Sequence, residues 1–176
     1  MRKYILVVMV LLCSVVFASG CVSDNKQNNV TKTYSQNNIS FSYPGGWEIA
    51  NTSAPNSIVA VADPNTVQSG SPSTLVLIQK PPVAKGTNIS TLYAANYASF
   101  FNNTYQRVSE GNMTVNGVNT LENVYKTNTT GDQRQFQAEW LSENGTIYVI
   151  LCIANTSDFK NQQSNFNLIL DSFKAQ

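Results

Sequence analysis

The stretch Ile147-Tyr148-Val149-Ile150-Leu151-Cys152-Ile153-Ala154 is an unbroken apolar run of eight residues. Its length suits a strand. A strand with one wet face alternates apolar and polar residues, whereas a run without alternation marks a strand buried on both faces. Both sides of its sheet must then be covered, which calls for a layered domain. Cys152, inside the run, is expected to be an inert core thiol.

Working outward, Glu143-Asn144-Gly145-Thr146 joins this strand to Gln133–Ser142, where Phe136, Ala138 and Trp140 share one face. Further upstream, Tyr105–Thr114 and Val118–Thr127 flank Asn116-Gly117, the strongest short hairpin signal. Downstream, Phe159, Phe166, Ile169, Leu170 and Phe173 form a helical apolar stripe, with Ser157 as its cap and Asp158 favouring its N-terminal dipole. Near the start of the domain Ile39, Phe41 and Tyr43 alternate with polar residues. Pro44-Gly45-Gly46 then turns the chain into Trp47 and Ile49. Ile58–Ala62 and Thr74–Gln79 are further short strands, separated by a Pro/Gly/Ser loop. Leu92, Tyr93, Tyr97, Phe100 and Phe101 fall at helical spacing after Asn88 or Ser90 as N-cap. The sum is an α+β domain, an antiparallel β-sheet with helices on both faces.

The N-terminus carries addressing information. Arg2 and Lys3 precede the apolar run Tyr4–Phe17, and small residues Ala18-Ser19-Gly20 lead to Cys21. That is a secretory layout. Ala-Ser-Gly-Cys resembles a lipobox, so residues 1–20 are expected to be a signal peptide and Cys21 the site of lipid attachment. The competing readings are an uncleaved anchor helix, although the run falls short of the roughly 20 residues that span a membrane, and a chance cysteine near a conventional cleavage site. Val22–Asn37 is almost devoid of apolar residues, so residues 21–37 are expected to be the lipidated cysteine and a flexible tether, and residues 38–176 the folded domain.

Composition excludes several functions. Losing Arg2 and Lys3 with the signal takes the formal charge from +1 to −1, so no global field favours nucleic acid. The chain has no histidine, which removes the commonest general base and any Ser-His-Asp or Cys-His site. Ser157-Asp158-Phe159-Lys160 matches an S-x-x-K element, but Ser23-Asp24-Asn25 lies before it, in the tether, and no K-T-G follows. Asp63, Glu110, Glu122, Asp132, Glu139 and Glu143 are scattered at no metal-binding spacing, and their default reading is solvated surface. No cofactor and no metal is expected. Asn-X-Ser/Thr occurs nine times, at Asn29, Asn38, Asn51, Asn88, Asn102, Asn112, Asn128, Asn144 and Asn155. The excess suggests a glycosylated exterior, with Asn51, Asn88, Asn128 and Asn144 as the sites expected to be modified. The alternative is a merely asparagine-rich genome. With the lipobox, sequon use would fit an archaeal cell surface.

Phe41-Ser42-Tyr43-Pro44-Gly45-Gly46-Trp47, Asp63-Pro64 after the following strand, and Gly145–Ile150 running into a helix that closes at Asp171-Ser172-Phe173 resemble the PsbP-like domain family over Ile39 to about Lys174. The resemblance implies an α-β-α sandwich and an accessory role, since the namesake is an extrinsic subunit on the lumenal side of photosystem II. Metal binding in the namesake branch cannot be carried over through histidine ligands here. The expected function is therefore a lipid-anchored, extracytoplasmic binding or accessory module for an envelope protein, without catalysis. The alternatives are an enzyme using carboxylates or a bound metal, and a structural surface glycoprotein with no specific ligand. Lys80 and Lys85 flank a proline-stiffened linker, and counting outward from Val115 and Val118 places Arg107 opposite Lys126, where like charges call for an anion between them. Asp132 is a candidate for that anion. These four basic residues are the expected partner contacts.

Overall fold

A computed structural model describes residues 30–101, 104–127, 131 and 133–176. Residues 1–20, Cys21, residues 22–29 of the expected tether (Asn29 among them), Asn102, Asn128 and Asp132 lie outside the described residues. The element order is β1 (Thr31–Gln36), β2 (Ile39–Pro44), β3 (Glu48–Ala50), β4 (Ser57–Ala62), β5 (Val67–Gln68), β6 (Ser71–Pro72), β7 (Leu75–Gln79), α1 (Ile89–Tyr97), β8 (Tyr105–Val115), β9 (Val118–Thr127), β10 (Arg134–Glu143), β11 (Thr146–Asn155), α2 (Gln163–Ser172) and β12 (Lys174–Ala175). A seven-stranded sheet has the order β3-β4-β7-β11-β10-β9-β8, and a three-stranded sheet the order β1-β2-β12. Every pairing in both is antiparallel.

The apolar run that predicts a doubly buried strand is β11, fourth in the large sheet. Its side chains alternate between two cores: Tyr148, Ile150, Cys152 and Ala154 join the cluster that holds Phe166, Ile169 and Leu170 of α2. Ile147, Val149, Leu151 and Ile153 join the cluster that holds Tyr93 and Tyr97 of α1. Successive strand residues face opposite sides, so the two clusters lie on opposite faces of β11. Its neighbour β7 divides the same way, with Val76 and Ile78 in the first cluster and Leu75 and Leu77 in the second. Each such side chain contributes ~1.5–3 kcal/mol on burial, so the strand carries much of both cores. Cys152 is a free, fully buried thiol, and burial raises its pKa well above the ordinary value.

The hairpin turns fall where the sequence puts them. Asn116 and Gly117 take φ of 45° and 83°, and Asn144 and Gly145 take 53° and 73°, the left-handed pair that a two-residue turn requires. At Gly145 a Cβ would also lie 2.8 Å from Cε of Lys85, whose stem covers the turn. Helix α1 starts at Asn88, whose Oδ1 accepts from the Thr91 backbone N–H.

Three local expectations are corrected. The expected tether Val22–Asn37 includes a strand, because Thr31–Gln36 forms β1, paired along its whole length with β2. Its single buried side chain, Tyr34, stacks on Phe41 at 5.2 Å, and Asn37-Asn38 turns the hairpin with φ of 55° and 60°. An edge strand held by backbone pairing and one aromatic has the composition of a linker. The terminal helix begins at Gln163, so Ser157 is not its cap. Residues 156–162 form turns around Asp158, whose carbonyl accepts from the Asn161 and Gln162 N–H groups and whose carboxylate accepts from both side-chain amides. The loop after Asp63 contains a small hairpin, β5-β6, and β12 follows α2 to add a third strand beside β2.

If β1 is part of the fold, Tyr34→Ala should cost on the order of 3 kcal/mol in denaturant unfolding, as aromatic-to-alanine core changes do. A tether residue would give no change.

Candidate functional site

Strand β10 places two kinds of residue on its two faces. Phe136, Ala138 and Trp140 enter the α1 cluster, while Gln137, Glu139 and Leu141 face the α2 side. Glu139 is fully buried and lies directly across from Glu122 of β9. Thr120 Oγ1 donates to Glu139 Oε2 at 2.6 Å, and Gln137 Nε2 donates to Glu139 Oε1 at 2.9 Å and to Glu122 Oε2 at 3.3 Å. Gln137 in turn accepts from Nε2 of Gln163, the first residue of α2, at 3.2 Å. Burial pushes the Glu139 carboxyl up to about 7; the donated bonds from Thr120 and Gln137 pull the other way, and the Glu122 charge and its hydrogen bond to Glu139 add to the rise. On the edge strand β8 the residue opposite Glu122 is Gly111, whose missing side chain leaves Glu122 partly open.

The opposite face carries a second network. Tyr93 of α1 donates its hydroxyl to Glu110 Oε1 at 2.8 Å, with the Glu122 carbonyl at 3.0 Å as a further acceptor, and accepts from Asn123 Nδ2 at 2.8 Å. Trp140 Nε1 donates to the Tyr97 hydroxyl at 3.2 Å. Around them Phe100 stacks on Tyr105 at 4.7 Å and Tyr125 on Phe136 at 4.9 Å. Burial raises the Tyr93, Tyr97 and Tyr125 phenols above their ordinary value. They are neutral hydrogen-bonding groups, unsuited to act as bases near neutral pH.

A β-bulge decides where the expected partner contacts point. Arg107 pairs with Tyr125 and Ser109 with Val124, so Val108 is the extra residue, and Lys126 faces Gln106 and Gln135. The expected Arg107–Lys126 juxtaposition is therefore corrected. A one-residue slip moves a side chain to the other face, and Arg107 joins the α1 side while Lys126 stays on the α2 side. There Arg107 sits 4.4 Å over the Phe101 ring and 2.7 Å from Glu110. Residues three apart on a regular strand face opposite sides; the bulge puts this pair on one.

The four basic residues do not form one surface. Lys80 follows β7, and Lys85 lies over the Asn144-Gly145 turn at the same end of the sheet. Lys126 and Arg107 belong to the far end, separated by the eight residue steps along β10 from Gln135 to Glu143, about 27 Å at ~3.4 Å per residue. Of the expected glycan sites, Asn51, Asn88 and Asn144 are exposed. The default surface reading of the carboxylates fails at Glu139. Position rather than spacing carried that signal, since Glu139 sits mid-strand beside the doubly buried β11. Asp63 caps the 3-10 turn Pro64–Thr66, and Glu143 accepts from the Ala175 N–H. Among the described residues no group of three or more His, Cys, Asp or Glu is placed to hold a metal ion.

A model of the PsbP-like protein family matches residues 17–175. The chain belongs to the PsbP-like protein family. No curated protein matches it closely. Among solved structures, this PsbP-like chain resembles cyanobacterial PsbP (CyanoP) of Synechocystis with a TM-score of 0.57 at 16% identity, covering 90% of this chain and 98% of that one. It also resembles LpqN, involved in cell envelope biogenesis of Mycobacterium tuberculosis, with a TM-score of 0.57 at 10% identity, covering 77% and 82%. A protein of Bacteroides thetaiotaomicron gives 0.56 at 8% identity, over 79% of this chain and 45% of that one. At these identities the likeness is one of fold: mostly antiparallel sheet with two helices.

Removing the phenol that joins three groups of the second network should be felt. Tyr93→Phe is expected to cost about 1–3 kcal/mol, because the Asn123 amide is left buried without its acceptor. Chemical denaturation of the two proteins checks it.

Proposed function

We propose that this chain is a lipid-anchored, extracytoplasmic binding or accessory module, an α-β-α sandwich that supports another envelope protein and performs no turnover. The observation that carries this reading is how the interior polar groups are used. Glu139, Gln137, Thr120 and Tyr93 are bonded to neighbouring side chains or to the backbone, and the Asn123 amide nitrogen donates to Tyr93, so their hydrogen bonds hold strands and helices together rather than being offered to a substrate. Family membership and the involvement of the LpqN neighbour in envelope biogenesis agree with an accessory role. Attachment is assigned to an acylated Cys21, on the lipobox-like Ala18-Ser19-Gly20-Cys21.

The interface we assign is the β8 edge. It is an outer strand of the large sheet, every residue from Gln106 to Asn112 is exposed, and Arg107 and Glu110 lie side by side on it. The bulge and the charges oppose indiscriminate strand pairing while leaving specific polar contacts available. Lys80 and Lys85 form a separate basic pair at the other end. A carboxylate enzyme is the second reading, favoured by one feature: burial pushes the Glu139 carboxyl up to about 7, a value matched to acid–base work.

Two experiments test the proposal. Intact-mass analysis of the native protein should show a chain beginning at Cys21 with added lipid, and Cys21→Ser should release or misprocess it; retention of residues 1–20 contradicts the anchor. Crosslinking in native membranes should recover one reproducible partner, and Arg107→Glu should reduce that recovery several-fold without unfolding the domain. Reproducible turnover by purified protein, abolished by Glu139→Gln, would overturn the binding reading in favour of the enzyme.

A further inference from the structure

We propose that Glu122 and Glu139 form a proton-sharing latch that fastens the first turn of α2 to the sheet while the pair holds one proton and loosens it when the pair holds none. The geometry carries the inference. The two carboxyls occupy directly opposed positions on β9 and β10, on the side of the sheet covered by α2. Facing carboxylates repel, and a proton between them turns the repulsion into a hydrogen bond.

Among the described residues, no cation acts on Glu139 to compensate its charge. From β9 Glu139 meets Glu122 and Thr120; from β11 the neutral Cys152 thiol, whose own pKa Glu139 raises; from its own strand, Gln137, which also reaches Met113 Sδ of β8. Helix α2 enters through neutral Gln163, which donates to Gln137 and to Asn167 Oδ1.

Gln137 is the connection. Its one amide nitrogen bonds both carboxyls while its oxygen accepts from Gln163, so a change in how the pair draws that nitrogen is felt at the helix. The first turn of α2 is the end that would respond, because the side chain of its N-cap, Gln162, caps no backbone N–H and bonds only side chains, accepting from Asn165 Nδ2 and donating to Asp158 Oδ2. The C-terminal end is fastened independently, by Ser172 Oγ accepting from the Ser42 N–H at 2.8 Å. Gly111 leaves Glu122 a route to solvent for the proton.

The sign is fixed by linkage. The folded chain holds the proton more tightly than the unfolded chain, so the pair's contribution to stability is complete below the ordinary carboxylate range and is lost as pH rises through about 7. Hydrogen exchange on the full chain, corrected for intrinsic rates, reads the latch at about pH 5.5 and about pH 8. Backbone amides of the first two turns of α2 should lose at least about tenfold in protection at the higher pH, one pKa unit being a tenfold change in proton affinity. In Glu139→Gln the protection should no longer depend on pH. The same pH dependence in wild type and Glu139→Gln, or none in wild type, overturns the proposal. If Glu139→Gln fails to fold, carboxyl-carbon NMR of the wild-type protein decides. Titration near neutrality, with a concurrent shift of the Gln163 side-chain amide, supports the latch; titration in the ordinary carboxylate range, or without that shift, refutes it.

Discussion

The rest of the structure hangs on the burial of β11 from both sides. Its even-numbered residues from Tyr148 to Ala154 complete one core and its odd-numbered residues from Ile147 to Ile153 the other, while its backbone pairs with β7 on one edge and β10 on the other. Neither core is closed without it. This arrangement requires side chains apolar at every position, which is why the strand stands out in the sequence. It also puts the neighbouring strand β10 under cover, so a carboxylate at its middle has no water to turn to.

Glu139 is the consequence. A buried carboxylate without a cationic partner is costly, and the fold meets the cost with two donors and a raised pKa. The same strands hold the tyrosine network on the other face, and the two networks meet at Glu122, whose side chain belongs to one and whose carbonyl accepts a bond in the other. The bulge at Val108 sits at the outer margin of this region. It turns Tyr105 and Arg107 toward the aromatic cluster and leaves β8 an exposed, charged edge, where the proposed interface lies.

Much of the fold was legible because the decisive signals are local. The Asn-Gly turns require left-handed backbone, the β11 run lacks any alternation, and the apolar stripes of the two helices follow the helical period. What was hidden depends on pairing. β1 looks like a linker because its strand character comes from β2; the bulge is invisible to counting from a turn; and the helix start moved because Asp158 organises a run of turns that the apolar stripe overlies. Glu139 was missed for a related reason. A search for carboxylates at metal or catalytic spacing along the chain does not see two that meet across strands, seventeen residues apart in sequence.

The claim that β11 makes one cooperative unit of both cores has a direct test, because the chain has two tryptophans and each core holds one, Trp47 on the α2 side and Trp140 on the α1 side. Fluorotryptophan labelling gives a fluorine resonance for each core without altering a contact network by truncation. Under denaturant titration both native resonances should disappear at the same midpoint, as a two-state domain requires. Loss of one native resonance while the other persists would show that the cores unfold separately and would contradict the account.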